Sequence, residues 1–424
     1  MSIKWKEWYH QVISSDFVIK VAQTFGTRIA TIIIGLITSV MVSRALGPEG
    51  KGLYAVAVSI VAVGVQFGNL GLHASNTYFI AQNRGRLPVL LGNSLLVGLG
   101  FGGLIALVFW IIFLLRPDWA PISGLLLILA LLWIPLGLLY LLFQNLLLGI
   151  QEIFVYNQIE LFTKIGAAVL IGCAILFNHV NVQVLLSIGI ISVSVASIWS
   201  LIKISSHLAQ APIPSLKLLK NGLQYGFKAY LAALFSFLVL KVDLLLVAYL
   251  LGRVQAGYYS IAVGLADMVY LLPMVSGTIL FPKLSAMSSN KEKWKYTRKV
   301  VWIITAFMIG VASFLGLFSR ILIRLLFGDA FIPAIAAFNW LLPAIIFLSI
   351  NTVFMNYFAS IGMPPITVYS PGLAMVTNIL LNLILIPKLG IIGASMSSIV
   401  AYGMMLGMSF IFLRKEADHG IGIS

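Results

Sequence analysis

The chain has 424 residues, of which 61% are hydrophobic and only 9% are charged, and its mean hydropathy is +1.06. This composition leaves too little polar surface to cover a soluble globule and indicates an integral membrane protein. The formal net charge of +15 invites a nucleic-acid interpretation, which the placement of the charges argues against, and the one cysteine excludes an internal disulfide.

The predicted elements begin with an interfacial segment over residues 1–16, where aromatic residues stand among lysines. About twelve apolar runs follow, each with the length of about 20 residues or more that a spanning helix requires. Strands of a β-barrel are about half as long and alternate in polarity, so a barrel is excluded. The predicted spans cover residues 18–45, 53–81, 88–115, 122–149, 156–177, 182–203, 223–251, 258–284, 300–327, 332–360, 366–386 and 392–413.

Lysine and arginine residues collect in alternate loops, as the positive-inside rule requires. Most of the 27 lie on the side of the two termini, four lie inside spans, and seven lie on the other side. Those seven are Arg44, Lys51, Arg116, Arg253, Arg320, Arg324 and Lys388. Both termini are therefore predicted to be cytoplasmic.

The two halves of the chain repeat one another. The string Phe25-Gly26-Thr27-Arg28 precedes a long apolar run, and so does Tyr225-Gly226-Phe227-Lys228. Further along, Leu46-Gly47 and Gly52-Leu53-Tyr54 match Leu251-Gly252 and Gly257-Tyr258-Tyr259. The repeat predicts two six-helix lobes.

The repeats both begin on the cytoplasmic side, so they run parallel and predict a pseudo-twofold axis along the membrane normal, with a substrate site between the lobes. The predicted fold is thus all-α and polytopic. Its predicted segments are the interfacial residues 1–16, an N-lobe over 17–205, a cytoplasmic linker over 206–222, a C-lobe over 223–414 and a cytoplasmic tail over 415–424.

Arg28 and Lys228 are isolated cations inside apolar segments at matching positions of the repeat. Such charges are costly in hydrocarbon and indicate a functional site. Arg28 stands ten residues, about 15 Å, beyond the predicted start of its span, half of a core of about 30 Å, and the repeat predicts the same depth for Lys228. Cations with few carboxylates predict an anionic cargo, and the planar fork of arginine suits phosphate. The alternative is a structural ion pair with Asp243, Asp267 or Glu160.

Other intramembrane polar residues are weaker candidates. Glu160 and Lys164 stand four apart on one helix, so they either neutralise each other or line the cavity. Lys241 and Asp243 point to different faces, and each is a candidate, for substrate and for ion coupling respectively. Asp267 is the foremost candidate for a proton or sodium site, with Glu160 as another.

Two intramembrane amides, Asn351 and Asn378, are predicted to bind the substrate, although such amides also join helices to one another. The histidines show no spacing of metal ligands, so no metal site is predicted. No loop is long enough for a catalytic or nucleotide-binding domain, and the chain is predicted not to be an enzyme and to need no cofactor.

Several motifs together resemble a known family. They are Ser43-Arg44-Ala45-Leu46-Gly47-Pro48-Glu49-Gly50-Lys51-Gly52-Leu53-Tyr54, Lys241-Val242-Asp243, Phe281-Pro282-Lys283-Leu284-Ser285, Leu326-Phe327-Gly328 and Pro387-Lys388-Leu389-Gly390. The chain is similar to the polysaccharide transporters (Wzx-like oligosaccharide flippases) of the multidrug/oligosaccharidyl-lipid/polysaccharide exporter superfamily.

The resemblance implies a multi-pass flippase of the cytoplasmic (inner) membrane that carries undecaprenyl-pyrophosphate-linked oligosaccharide outward by alternating access. It implies that the head group binds in a cationic cavity. The negative charge of such a head group predicts coupling of transport to the membrane potential, and the intramembrane carboxylates leave H⁺ or Na⁺ coupling open. Expected partners are the lipid-linked oligosaccharide, membrane lipids, a polysaccharide polymerase and glycosyltransferases, and not nucleic acid. A lipid II flippase and a cation-coupled multidrug exporter of the same fold are the alternatives.

Overall fold

The computed structural model describes residues 16–418, apart from the side chains of residues 16–22, 278, 279 and 416–418. Within this part of the chain there is no strand, and nearly all residues are helical. The predicted interfacial segment up to residue 15 and the tail beyond residue 418 lie outside the described residues.

Helices in the first half of the chain follow the predicted spans closely. They are α1 (Asp16–Asn69), α2 (Leu72–Gln82), α3 (Leu87–Leu95), which continues through a π-helical turn (Leu96–Phe101) into α4 (Gly102–Leu115), α5 (Gly124–Gly149), α6 (Ile153–Leu176) and α7 (Val182–Ser205).

Most helices in the second half are longer than the spans predicted for them. They are α8 (Leu216–Leu251), α9 (Arg253–Ser285), α10 (Asn290–Phe327), α11 (Ala334–Ser360), α12 (Ile366–Leu389) and α13 (Ile391–Asp418). Helix α8 begins at Leu216, so it includes residues that were predicted to belong to the linker over 206–222.

Among the described residues, 11 helical stretches are long and apolar enough to cross a bilayer. The stretch Gln23–Asn69 has 47 residues, about 70 Å of helix, which is enough for two crossings of a core of about 30 Å. It is broken at Gly47, where φ is 66° and ψ is −174°. This one stretch therefore contains most of the first two predicted spans, the second of which is interrupted after Asn69 and continues in α2, and this accounts for the difference from about twelve.

The repeat seen in the sequence has a local structural counterpart. Gly252 separates α8 from α9 with φ 84° and ψ −178°, almost the conformation of Gly47. Only glycine readily occupies this region of backbone space. The two matched glycines thus make the same break, while the twofold relation of whole lobes stays a prediction.

By proximity the described residues fall into two compact units, whose limits differ from the predicted lobes. Unit 1 contains the residues up to Val42, Gly64–Ile112 and Leu125–Phe227. Unit 2 contains Ser43–Val63, Phe113–Gly124 and the residues from Lys228 onward. The segment Ser43–Val63 belongs to the first repeat in sequence but packs within unit 2. The predicted lobe boundaries remain a prediction.

Each unit has an apolar core, and its helices also carry large apolar side chains outward. In unit 1, Ile80, Leu91 and Phe143 belong to one cluster of buried residues. In unit 2, Phe338 and Phe358 are fully buried. Leu317 is 81% exposed although it is apolar, as expected of a helix that faces lipid.

Candidate functional site

The predicted cation Arg28 forms a small polar cluster within unit 1. One guanidinium nitrogen, Nη1, donates to Glu160 Oε1 at 3.1 Å, and Nη2 donates to the Tyr156 hydroxyl at 3.3 Å. The side chain of Arg28 is 48% exposed, whereas that of Glu160 is 16% exposed. Glu160 Oε2 is buried and has no hydrogen-bond partner. The carboxylate therefore orients a guanidinium that stays accessible.

The partner of Glu160, which the sequence left open, is visible in the structure. Glu160 pairs with Arg28 on another helix and not with Lys164 on its own helix. The Lys164 side chain is exposed, and within the described residues it makes no ion pair or hydrogen bond. Tyr156 was not among the predicted site residues. Its position one helical turn before Glu160 was the available signal.

Lys228 lies in unit 2 and contacts a turn between two helices. Its ammonium donates to the carbonyl of Met363 at 2.6 Å, and Met363 has φ 53° in the turn between α11 and α12. Lys293 donates to the carbonyl of Ser360, the last residue of α11, at 2.9 Å. Both lysines thus satisfy carbonyls at the C-terminal end of α11, where the helix dipole favours cations.

This contact revises the depth of Lys228. The sequence estimate placed it near the middle of the membrane, but the ammonium reaches a turn that connects two spans. Along α8, Lys228 stands 23 residues before Leu251, about 35 Å from that end of the helix. That length alone crosses a core of about 30 Å, which agrees with an ammonium at the level of the turn.

Lys241 and Asp267 form an ion pair in unit 2, with Nζ and Oδ2 2.7 Å apart. Their side chains are 30% and 38% exposed. Each was a candidate on its own, for substrate and for ion coupling respectively. The structure shows that the charges of these two residues offset each other.

Asp243 is the most secluded carboxylate of the candidates. It is 2% exposed, and its Oδ2 accepts hydrogen bonds from the Tyr259 hydroxyl at 2.7 Å and from Ser398 Oγ at 3.0 Å. The other oxygen, Oδ1, is buried and has no hydrogen-bond partner. A cavity of about 10 Å³ is lined by Asp243, Asp267 and Tyr402. That volume is close to what one water molecule occupies.

The partners of Asp243 were not singled out from the sequence. Tyr259 ends the repeated string Gly257-Tyr258-Tyr259, and Ser398 belongs to a run of serines in the last span. Both are fully buried in the structure. A polar residue within an apolar helix needs a hydrogen-bond partner, and this was the sequence signal that could have identified them.

The predicted amides lie in two different settings within unit 2. Asn351 lines a cavity of about 260 Å³, together with Asn356 and Thr352, and its Oδ1 accepts a hydrogen bond from Ser409 at 2.8 Å. Asn378 accepts from Asn382 Nδ2 at 2.9 Å, and both residues are fully buried. Asn378 Nδ2 has no partner. Asn351 therefore has the space for a ligand, whereas Asn378 is enclosed by the protein.

In unit 2, the first helical turn after Gly47 packs backbone to backbone against the first helical turn of α9. A side chain at Gly52 would overlap the carbonyl of Arg253, and one at Gly257 would overlap the carbonyl of Pro48. Gly52 matches Gly257 in the repeat, so the contact is reciprocal. We call this pair of turns the glycine clasp. It requires glycine at both positions, since no Cβ fits there.

Ionic contacts accompany the glycine clasp. Glu49 and Arg253 are paired at 3.5 Å, with both side chains more than half exposed. Arg44 donates from Nε to the carbonyl of Leu326 at 2.8 Å and from Nη2 to that of Leu325. Exposed ion pairs contribute little to stability, so the close packing of the two glycines is the main interaction that holds the glycine clasp together.

The sequence is similar to a known protein family and to several known proteins. A profile of the family described as "Polysaccharide biosynthesis protein" matches residues 18–288, more than half of the chain. The chain is 26% identical over 209 residues to an uncharacterized membrane protein of Methanocaldococcus jannaschii, which covers 48% of this chain and 41% of that protein.

Two further relatives carry functional names. A probable low-salt glycan biosynthesis flippase of Haloferax volcanii is 22% identical over 251 residues, which cover 58% of this chain and 52% of the relative. A putative O-antigen transporter of Shigella flexneri is 25% identical over 392 residues, which cover 88% of this chain and 91% of the relative. The chain thus spans about half or less of the first two relatives and most of the third.

Solved structures share the fold. An inward-facing multidrug resistance MATE family transporter of the MOP superfamily superposes with a TM-score of 0.76 at 15% identity, over 92% of this chain and 95% of that one. The lipid II flippase MurJ, in an inward closed conformation, gives 0.72 at 15% identity, over 94% and 87%. At this level of identity the likeness establishes the fold alone.

Proposed function

The chain belongs to the polysaccharide biosynthesis protein family, and on that premise we propose that it is a flippase for a lipid-linked oligosaccharide. Its cargo would be a polyprenyl-pyrophosphate-linked glycan that moves from the inner to the outer leaflet of the cytoplasmic membrane. The cargo is transported without chemical conversion, and glycosyltransferases and a polymerase would act before and after the transport step.

The Arg28 cluster is the observation that carries this proposal. A guanidinium has five N–H donors, and Arg28 uses one towards Glu160 and one towards Tyr156. The remaining donors and the 48% exposed surface are available to an incoming anion. Phosphate oxygens match the planar donor geometry of arginine, so pyrophosphate is the ligand that this group suits best.

The remaining predicted substrate residues take secondary roles in the proposal. Lys164 is exposed on the helix of Glu160, and Lys228 has one donor engaged by Met363 and others free. Asn351 lines the cavity of about 260 Å³, which we propose for sugar hydroxyls because its polar lining is neutral. Asn378 is fully buried, so we propose that it supports the substrate site indirectly and does not contact the substrate.

The membrane potential contributes to the driving force in this scheme. Each negative charge that moves outward across a potential of about 100 mV gains about 2.3 kcal/mol when the cytoplasm is negative. A pyrophosphate head group carries such charge, so no nucleotide is needed.

For cation coupling we propose Asp243 rather than Asp267 or Glu160. The latter two are paired with Lys241 and Arg28, so their charge is offset already. Asp243 has an unpartnered oxygen in a buried setting, beside a cavity of the size of one water molecule. A buried carboxylate of this kind favours either a bound cation or a proton.

The cargo is tested with the purified full chain in proteoliposomes. Outward movement of a labelled undecaprenyl-pyrophosphate oligosaccharide is followed by its accessibility to an added glycosidase. Transport of lipid II and of a fluorescent organic cation is measured in parallel. We expect transport of the oligosaccharide lipid, with at least a tenfold loss in Arg28→Gln and none in the control Arg320→Gln. Exclusive transport of lipid II or of the cation would overturn the proposed cargo.

The coupling proposal has its own test. Transport is measured with and without an imposed Na⁺ or pH gradient. We expect Asp243→Asn to lose the dependence on the gradient and the double variant Lys241→Gln/Asp267→Asn, which removes both members of the other pair, to keep it. A gradient dependence that survives in Asp243→Asn rules this residue out.

A further inference from the structure

Unit 2 contains an apolar groove that plays no part in the proposed transport site. Its volume is about 330 Å³, and it lies between α10, α11 and α13. Aromatic rings build its wall: Trp294 stacks on Phe354 with ring centres 6.2 Å apart, and Phe354 meets Phe410 edge to face at 4.9 Å. Arg298 and Thr305 are the polar residues of the lining.

One end of this groove is strongly basic. Residues 291–299 contain five lysines and arginines and one acidic residue, Glu292. Lys293 is buried against the end of α11, whereas Lys291, Lys295, Arg298 and Lys299 are exposed. Of these exposed cations Arg298 lines the groove, and within residues 16–418 its guanidinium makes no ion pair.

Helical spacing places basic and aromatic residues of α10 on the same face of the helix. Trp294, Arg298 and Trp302 follow one another at intervals of four residues, so they share one face of α10. Trp302 is 71% exposed, which leaves this face open to the bilayer. An arginine that stands between two tryptophans along one helix face, beside an apolar groove, is an arrangement typical of the membrane interface.

The depth of Arg298 follows from the length of the uncharged helix beyond it. No charged residue stands between Lys299 and Arg320, and these 20 residues span about 30 Å, the thickness of the hydrocarbon core. Lys299 and Arg298 therefore stand at one head-group level. The groove runs from there to Thr305, about 10 Å into the hydrocarbon region.

We propose that this groove binds an anionic phospholipid of the surrounding bilayer, with its phosphate on Arg298 and one acyl chain along the aromatic wall. Charge complementarity selects the occupant: exposed cations next to a spanning helix attract acidic head groups, and a zwitterionic lipid gains little from them. The apolar lining accommodates methylene groups and offers almost no hydrogen bonds to a sugar. The bound lipid would hold α10 against α11 and α13.

Quenching of tryptophan fluorescence tests the site directly. The full chain is reconstituted in vesicles of phosphatidylcholine that contain increasing fractions of dibrominated phosphatidylglycerol, and in matched vesicles where the brominated lipid is phosphatidylcholine. The signal of Trp302 is isolated as the difference from Trp302→Phe. We expect saturable quenching at low fractions of the anionic lipid and only proportional quenching with the zwitterionic one.

Variants distinguish lipid binding in the groove from a general electrostatic attraction of anionic lipids to the protein surface. Arg298→Gln is expected to weaken the apparent affinity about fivefold, the effect of one interfacial cation. Arg320→Gln removes an exposed arginine from the other end of the same helix and should leave the apparent affinity for the lipid unchanged. Val301→Trp fills the groove and should abolish saturation while the protein remains folded by circular dichroism.

Three results would overturn the proposal. Equal quenching by the two brominated lipids would show that charge does not select the occupant. Equal effects of Arg298→Gln and Arg320→Gln would show that the groove is not the place of binding. Displacement of the brominated lipid by undecaprenyl phosphate at a lower mole fraction than by phosphatidylglycerol would assign the groove to the cargo instead.

Discussion

Replacing Arg28 by glutamine should have two separable effects, one on stability and one on transport. Glu160 is 16% exposed and its Oε2 already lacks a partner, so loss of the guanidinium leaves a poorly solvated carboxylate. A fully buried pair would lose several kcal/mol, but Arg28 is half exposed and solvent screens the pair. We expect a destabilisation of about 1 kcal/mol and a lower Tm in detergent.

The double variant Arg28→Gln/Glu160→Gln separates the two roles. It removes both charges and leaves two neutral amides, of which the one at position 160 keeps the length of the original side chain, so the Tm should recover most of the loss. Transport should not recover, because the guanidinium that binds pyrophosphate is still absent. One hydrogen bond to a charged group contributes about 1.5–3 kcal/mol, which corresponds to a loss of about 10- to 100-fold in apparent cargo affinity.

The assay is the glycosidase-accessibility measurement in proteoliposomes, with Tm recorded on the same preparations. Arg28→Lys is a useful intermediate, since it keeps the charge and loses the planar fork. A double variant that transports at the wild-type rate would refute the reasoning, because Arg28 would then act only as the structural partner of Glu160.

Two further substitutions test the packing of unit 2. Gly257→Ala should destabilise the protein, since its Cβ would overlap a backbone carbonyl of the glycine clasp, whereas Gly264→Ala on the same helix enters open space and should be neutral or slightly stabilising. Equal Tm values for the two variants would contradict the close backbone packing. Tyr259→Phe removes a hydrogen bond to the buried Asp243 carboxylate and should cost about 1.5–3 kcal/mol, while Tyr258→Phe, which loses no such bond, should cost less than about 0.5 kcal/mol. Thermal unfolding followed by circular dichroism measures the stability of both tyrosine variants. A Tyr259→Phe variant as stable as Tyr258→Phe would show that the Tyr259 hydroxyl does not stabilise the Asp243 carboxylate.

Helix positions and the family were predictable from the sequence because both depend on local patterns. A bilayer demands runs of about 20 apolar residues, and these runs are visible without any tertiary information. The repeat also predicted that Gly47 and Gly252 are equivalent, and their backbones prove to be alike. Helix ends were less certain: α8 starts at Leu216, since a polar first turn can extend a helix beyond the hydrocarbon.

The partners of the charged residues were not predictable in the same way. Glu160 had Lys164 as a neighbour at a favourable spacing, yet it pairs with Arg28, which is 132 positions away in the chain. Lys241 and Asp267 were separate candidates and turned out to offset each other. Ion pairs between helices depend on which faces meet, and sequence spacing describes only faces of one helix.

The sequence by itself therefore determined the setting, the all-α architecture, the family and the identity of the costly charges, because membrane insertion acts on each segment separately. The tertiary structure alone decided which charges remain available. It left Arg28 half exposed on an orienting carboxylate, brought Lys228 to the end of α11, and gave Asp243 two donors and one free oxygen. Packing between helices sets these environments, and a charge acts on a ligand only to the extent that its neighbours have not already satisfied it.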